Sequence, residues 1–355
     1  MEHDANSKVT RPVNVRFFIG VFFTKNDHDS AIPASKATGV ANPELSSIFE
    51  HMGLKSHQWI VAMLTTVALS ACKPEHFTYP DNPVPAYDEI STILVQNYVN
   101  RLYIDLIGRE PTDAEMDRDV SALEADSLSL SARLMVIDAL VHGMDSTNQI
   151  PYTVQYHDKL YSDLKARFLE GASDAVLNER YGVLRSQAIN DSINGNWASY
   201  SINQAGAERL EAVLECPEAL MGGEIDIREA CRRMIWNAIY DQINMNSFNF
   251  VNATFDDLYQ RFPTQSEFDA GYAIVEYNLP GILFGTSAND KPSYIDAMLL
   301  NSEWDEGIVR WQYRGLLARD PSDEEVLDGL DEFTLGLFVS DIQRLILMSD
   351  EYAGF

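Results

Sequence analysis

Beyond residue 71 the 355-residue chain keeps three cysteines and three histidines, and what each could do depends on its neighbours. Cys72 is the most informative, because it closes Leu69-Ser70-Ala71-Cys72 after an apolar run, Trp59–Ala68, that follows Lys55 and His57. A weakly basic start, a short apolar core and small residues before a cut form the order of a secretory signal peptide, and this one would leave a thiol just past the cut. Cys216 and Cys231 flank Pro217 and Gly222-Gly223. In an oxidising compartment they are expected to close a loop between two helices, the alternative being two buried free thiols. Neither a cysteine nor a second histidine lies at metal-ligand spacing from His76, His142 or His157, so no metal site is expected. No G-x-S-x-G elbow marks a nucleophile, and Met221-Gly222-Gly223 is not a phosphate loop. The pairs Glu324-Glu325 and Asp256-Asp257 read as solvated helix surface rather than a glycosidase couple. No catalytic residue and no cofactor is read from the chain.

Leu69-Ser70-Ala71-Cys72 resembles the lipobox of bacterial lipoproteins at all four positions. The resemblance implies cleavage before Cys72, acylation of its thiol and amine with palmitate-type chains, and a mature protein of Cys72–Phe355 held in the cell envelope. Trp59–Ala71 falls short of the ~20 apolar residues of a membrane span. Residues 1–51 then precede the signal peptide 52–71, and Met52-Gly53-Leu54-Lys55 would be an ordinary start for it. Met1–His51, with its apolar patch Phe17–Phe23, is accordingly set aside as upstream of the true start. Lys73 after the cysteine, rather than aspartate, points by analogy with enterobacterial sorting to the outer membrane.

Met1–Cys72 is charge-balanced, so the whole formal charge of −28 lies beyond it. Such acidity repels phosphate backbones and anionic headgroups, and nucleic-acid binding is excluded as a function class. No calcium loop of D-x-D-x-D-G type accompanies it.

Sliding the sequence on itself uncovers a repeat, R-x-P-[ST]-x-x-E: Arg109, Pro111, Thr112, Glu115; then Arg261, Pro263, Thr264, Glu267; then Arg319, Pro321, Ser322, Glu325. An aromatic stands six residues before each arginine (Tyr103, Phe255, Tyr313) and a leucine three before it (Leu106, Leu258, Leu316). That spacing is one face of a helix. Proline ends the helix near the arginine, and Thr or Ser with Glu three residues on forms a capping box for the next. Each copy therefore predicts helix, break, helix, with the arginine pairing either with the carboxylate after it or with its own helix end, and a ligand-binding role for it as the less favoured reading. Later pieces repeat too: Ile137-Asp138-Ala139-Leu140 with Ile295-Asp296-Ala297-Met298, and Leu300-Asn301-Ser302-Glu303-Trp304 with Met348-Ser349-Asp350-Glu351-Tyr352.

The first copy resembles the helical domain of unknown function that accompanies cytochrome-c-like domains in planctomycete proteins. The third, Tyr313–Tyr352, is similar to the repeat of phycobilisome linkers and related bacterial surface modules, although Ala318 stands where that pattern has glycine. Both imply a helical fold. The chain lacks any C-x-x-C-H haem attachment site.

The expected architecture is all-α: a helical repeat or bundle of three helix-break-helix units after a signal peptide and a proline-containing tether, 72–86. An N-terminal helical domain, 87–200, holds the first copy and a C-terminal one, 201–355, the other two. The seam is placed near 190–205, where Asn190–Asn196 reads as an exposed connection. Trp236–Phe250 is rich in aromatics and asparagines, and any exposed part of it would suit a protein partner or a glycan. Together these point to a non-catalytic binding or assembly module. An accessory subunit of an exported enzyme or redox complex is the alternative, and a helical hydrolase with an unmarked site a further one.

Overall fold

The computed structural model describes residues 90–144 and 150–355. The stretches 1–51 and 52–71, Cys72 itself and the tether 72–86 lie outside the described residues. The first motif copy opens with α1 (Thr92–Ile107), breaks at Gly108–Pro111, and continues as α2 (Asp113–Ala125), α3 (Leu130–His142) and α4 (Tyr152–Phe168). A helical hairpin follows, α5 (Asp174–Ile193) and α6 (Trp197–Leu214), then the short α7 (Cys216–Met221), α8 (Ile227–Ile235) and α9 (Ala238–Asn244). The second copy is α10 (Ser247–Tyr259), α11 (Gln265–Tyr277), a two-stranded antiparallel hairpin of β1 (Gly281–Leu283) and β2 (Thr286–Ala288), α12 (Lys291–Leu300) and α13 (Ser302–Leu317). Helix α13 also opens the third copy, which runs on through α14 (Asp323–Gly336), α15 (Val339–Leu347) and α16 (Asp350–Ala353). Among the described residues the protein is all-α apart from one hairpin, and no helix there is long and apolar enough to cross a membrane.

Each copy is thus a four-helix unit, and its local signals explain its form. Thr112, Thr264 and Ser322 cap α2, α11 and α14, each with its glutamate closing the capping box. The preceding helices end in a left-handed residue, which is Gly108, Gln260 or Ala318. Tyr103, Phe255 and Tyr313 are buried, as are Leu106 and Leu258, while Leu316 packs partly buried against the same core. Burying each such side chain contributes about 1.5–3 kcal/mol.

The described residues from 90 onward group as one compact unit. Asn190–Ile193 is the last turn of α5, and Asn194–Asn196 is the exposed tip of the α5–α6 hairpin, turned at Gly195. Leu177, Leu184 and Ala188 on one helix and Ala207, Leu210 and Val213 on the other are buried, and this shared seam holds a polar sequence helical. Elements from opposite ends of the sequence meet as well. Tyr98 donates to the Leu347 carbonyl, Tyr352 to Asp105, and Arg101 to the carbonyls of Tyr352 and Leu316. The stretch 227–245 is two helices because buried Asn237 donates back to the Arg233 and Met234 carbonyls while accepting from the Ile239 and Tyr240 amides.

Candidate functional site

The three motif arginines occupy equivalent centres. In each, the guanidinium lies over the aromatic six residues earlier, with Arg109 5.4 Å from Tyr103, Arg261 5.2 Å from Phe255 and Arg319 5.5 Å from Tyr313. Both terminal nitrogens donate to the capping-box glutamate, at 2.8 and 2.7 Å for Arg109–Glu115, 2.9 and 2.8 Å for Arg261–Glu267, and 2.8 and 2.6 Å for Arg319–Glu325. The arginine also donates to the carbonyl of the residue after it, Glu110, Phe262 or Asp320. Its Nε reaches the first turn of the fourth helix, where it meets Gln155, Glu303 or Glu351. One side chain therefore ties the first, second and fourth helices together, and its donors are spent on the fold. These contacts hold Glu267 and Glu325 down to about 2, the arginine bonds being the largest cause.

The third partner explains the repeated Glu303-Trp304 and Glu351-Tyr352, and it exposes a match that sequence comparison missed. Gln155-Tyr156 is the corresponding pair of the first copy, hidden because glutamine replaces glutamate. The first copy carries a further polar extension. Asp119 stands where the others have Gly271 and Gly329, and it accepts from the Tyr103 hydroxyl at 2.7 Å and from Arg118 at 2.7 and 2.9 Å. A Cβ on Gly329 would lie 2.7 Å from Val309, and one on Gly271 2.9 Å from Tyr294, so those copies have no room for the aspartate. Tyr152 donates to Glu115 at 2.6 Å, and a cavity of about 460 Å³ opens beside Arg118, Asp119 and Tyr152. The two arginines here, Arg109 and Arg118, are matched by the two carboxylates.

The other sequence candidates are closed off. Cys216 and Cys231 are free thiols in the structure, not the expected disulfide, both fully buried, and burial pushes each up to about 12. A thiolate nucleophile is not available at either. His142 ends α3 beside Arg344, and His157 contacts its own helix at the Thr153 carbonyl. No three His, Cys, Asp or Glu side chains group to hold a metal among the described residues. The Asp257 carboxyl is lifted by burial to about 7 and accepts from the Tyr240 hydroxyl at 2.8 Å.

What remains open to solvent is the aromatic and asparagine stretch, in part. Ile239, Tyr240 and Phe250 are core and Trp236 and Ile243 partly buried, whereas Met245 is 78% and Phe248 58% exposed. Trp304 is likewise core, and Trp311 is partly covered beneath Arg167. Phe248 begins a file of rings not foreseen from the sequence: Phe248–Phe268 at 5.0 Å, Phe268–Tyr272 at 5.7 Å and nearly parallel, and Tyr272–Tyr277 at 5.8 Å, with Tyr277 exposed. The spacing of Phe268 and Tyr272 at i and i+4 on α11 was the available signal. A cleft of about 180 Å³ is lined by Asp241, Asn244, Met245, Asn246, Phe250 and Lys291, with Ser247 and Val275 completing it. Lys291 pairs with Asp241 and sits 3.9 Å over the Phe250 ring. Met245, at the lip, has φ +48°, a strained backbone for a non-glycine residue.

This architecture defines an all-α protein of three four-helix units, the second and third sharing α13. No family model, curated protein or solved structure matches the chain.

Proposed function

We propose that this is a lipid-anchored cell-envelope protein, acylated at Cys72, that works as a non-catalytic binding or assembly module. The observation that carries the binding role is the contrast between two sets of side chains. The motif arginines and their carboxylates are consumed in joining helices, and the thiols are buried and protonated. Met245, Phe248 and Tyr277, by contrast, present apolar side chains to solvent. The anchor is supported by Leu69-Ser70-Ala71-Cys72 behind its apolar run. A partner in the envelope, protein or glycan, would dock on that face with the body held at the membrane.

Intact-mass and N-terminal analysis of the protein from the membrane fraction of its host tests the anchor. A chain beginning at acylated Cys72, and its loss to the soluble fraction in Cys72→Ser, is the expected result. An unmodified soluble chain beginning at Met1 would overturn it.

A further inference from the structure

We infer that the free end of the α5–α6 hairpin dips into the surface of a zwitterionic lipid bilayer and holds the body against it. The inference rests on the envelope reading above and concerns a contact separate from Cys72.

The two helices, about 30 and 27 Å long, bury their shared seam as far as Ala188 and Gly206, and no residue from 189 to 205 is buried. Around the turn stand Ile189, Ile193, Trp197 and Ile202, which are 54 to 78% exposed. Each lies within about 10 Å of Gly195 along the hairpin. The same stretch is stripped of charge. In a chain that is 23% charged, the one charged side chain between Arg185 and Glu208 is Asp191, and it accepts from the Asn203 amide at 2.8 Å. The turn is also closed on itself, because the backbone amides of Asn194, Gly195 and Asn196 donate to the carbonyls of Asn190, Ser192 and Asp191. Such an end leaves water at little polar cost. The first-turn amides of α6 lack a side-chain cap and are donors that headgroup oxygens can take.

Geometry and area select the occupant. Ile189 and Ile193, four residues apart, share a face of α5, whereas Trp197 and Ile202, five apart, lie on different faces of α6. A flat partner meets one side of such a tip; a fluid apolar phase meets all of it. The four side chains offer on the order of 500 Å². A standard protein interface, a second copy of this chain included, needs ~800 Å² per partner. Shallow insertion needs less, and the depth of the apolar ring matches the ~5–10 Å to which interfacial segments are buried. Charge selects the headgroup. A chain of net charge −28 with no Lys or Arg from 186 to 207 has nothing with which to hold an anionic surface. Residues 73–89 span at most about 60 Å when extended, long enough for the tip to reach the bilayer that holds Cys72.

The test is tryptophan fluorescence of the full chain carrying Cys72→Ser, titrated with vesicles of brominated phosphatidylcholine and repeated with Trp197→Phe and with Ile193→Gln/Ile202→Gln. Both isoleucines are exposed enough for the change to spare the core, and circular dichroism melts check each fold. Quenching that disappears in Trp197→Phe is expected, together with partition weakened about tenfold or more in the double variant and weakened again when phosphatidylglycerol is added to the vesicles. Absence of quenching overturns the inference. So does quenching that Trp197→Phe or the folded double variant retains, a preference for the anionic vesicles, or self-association through the tip in place of lipid binding. Because this chain cannot be acylated, an acylated host protein whose tip is not quenched refutes only this inference, and a quenched tip on a chain never acylated in its host refutes only the anchor.

Discussion

Replacing Glu267 with glutamine isolates the charge of one motif carboxylate while keeping its shape. Glu267 accepts both terminal nitrogens of Arg261, at 2.9 and 2.8 Å, and the Thr264 amide at 2.7 Å. The Arg261 hydrogen bonds, first among the causes, hold it to about 2 against an ordinary 4.5. A folded value below the unfolded one means that the carboxylate stabilises the native state fully above pH 4.5, and that this contribution fades as the pH falls toward 2. Over that interval ~1.36 kcal/mol per pH unit gives a ceiling of ~3.4 kcal/mol. The side chain is 19% exposed and Arg261 retains Glu303 in the variant, which brings the expected loss to about 1–2 kcal/mol at pH 7. Glutamine can still complete the capping box, so the loss reports charge rather than capping. Urea unfolding followed by far-ultraviolet circular dichroism at pH 7 and pH 2.5 measures it. Glu306→Gln is the reference, because Glu306 lies 3.8 Å from Arg310 in an ordinary surface pair worth less than ~0.5 kcal/mol. An equal loss for Glu267→Gln at both pH values, or a loss at pH 7 no larger than that of Glu306→Gln, would refute the reasoning.

Ala318→Gly relieves a left-handed residue at φ +55° and should stabilise by about 1 kcal/mol, raising Tm by about 2–4 °C in a thermal melt. Gln260→Gly at the equivalent position should not stabilise, since it also deletes the bonds of that side chain to the Gly307 carbonyl and to Arg314; a matching rise in Tm would count against this account. Gly307→Ala puts a Cβ 2.0 Å from the Leu258 carbonyl oxygen, and a loss of ~3 kcal/mol or more is expected in urea unfolding. Iodoacetamide at pH 8 should label neither Cys216 nor Cys231 in the folded protein and both in urea; rapid native labelling would contradict their burial and raised thiol pKa.

The repeat was legible because its signals are local. Thr112 and Glu115, or Ser322 and Glu325, lie three residues apart and satisfy one another whatever surrounds them. Arginine pairing with the following glutamate was one of the options that spacing left open, and the structure shows it in all three copies. The third partner was not legible, because Arg261 to Glu303 and Arg109 to Gln155 span more than forty residues and depend on how the fourth helix docks. For the same reason Asn190–Asn196 misled. Its composition favours a loop, yet Leu184 and Ala188 gain a buried partner face on α6, which no local signal announces. Of the cleft and the ring file, Met245 and Phe248 lay in a stretch already marked by composition. Lys291 and the α11 rings came from later elements, and their arrival there is a property of the fold.

Helix α13 closes the second unit and opens the third. Glu303 in its first turn receives Arg261, and Tyr313 near its end lies beneath Arg319, so sixteen residues of continuous helix join two arginine centres. In a linear repeat array, neighbours are coupled only through the surface they share, and each can melt at a cost of that surface. Here neither unit can melt without unwinding a helix that the other requires. The coupling runs through one continuous helix, and residues 247–353 are expected to open as a single cooperative block, with native-state hydrogen exchange of the α13 amides as the measurement.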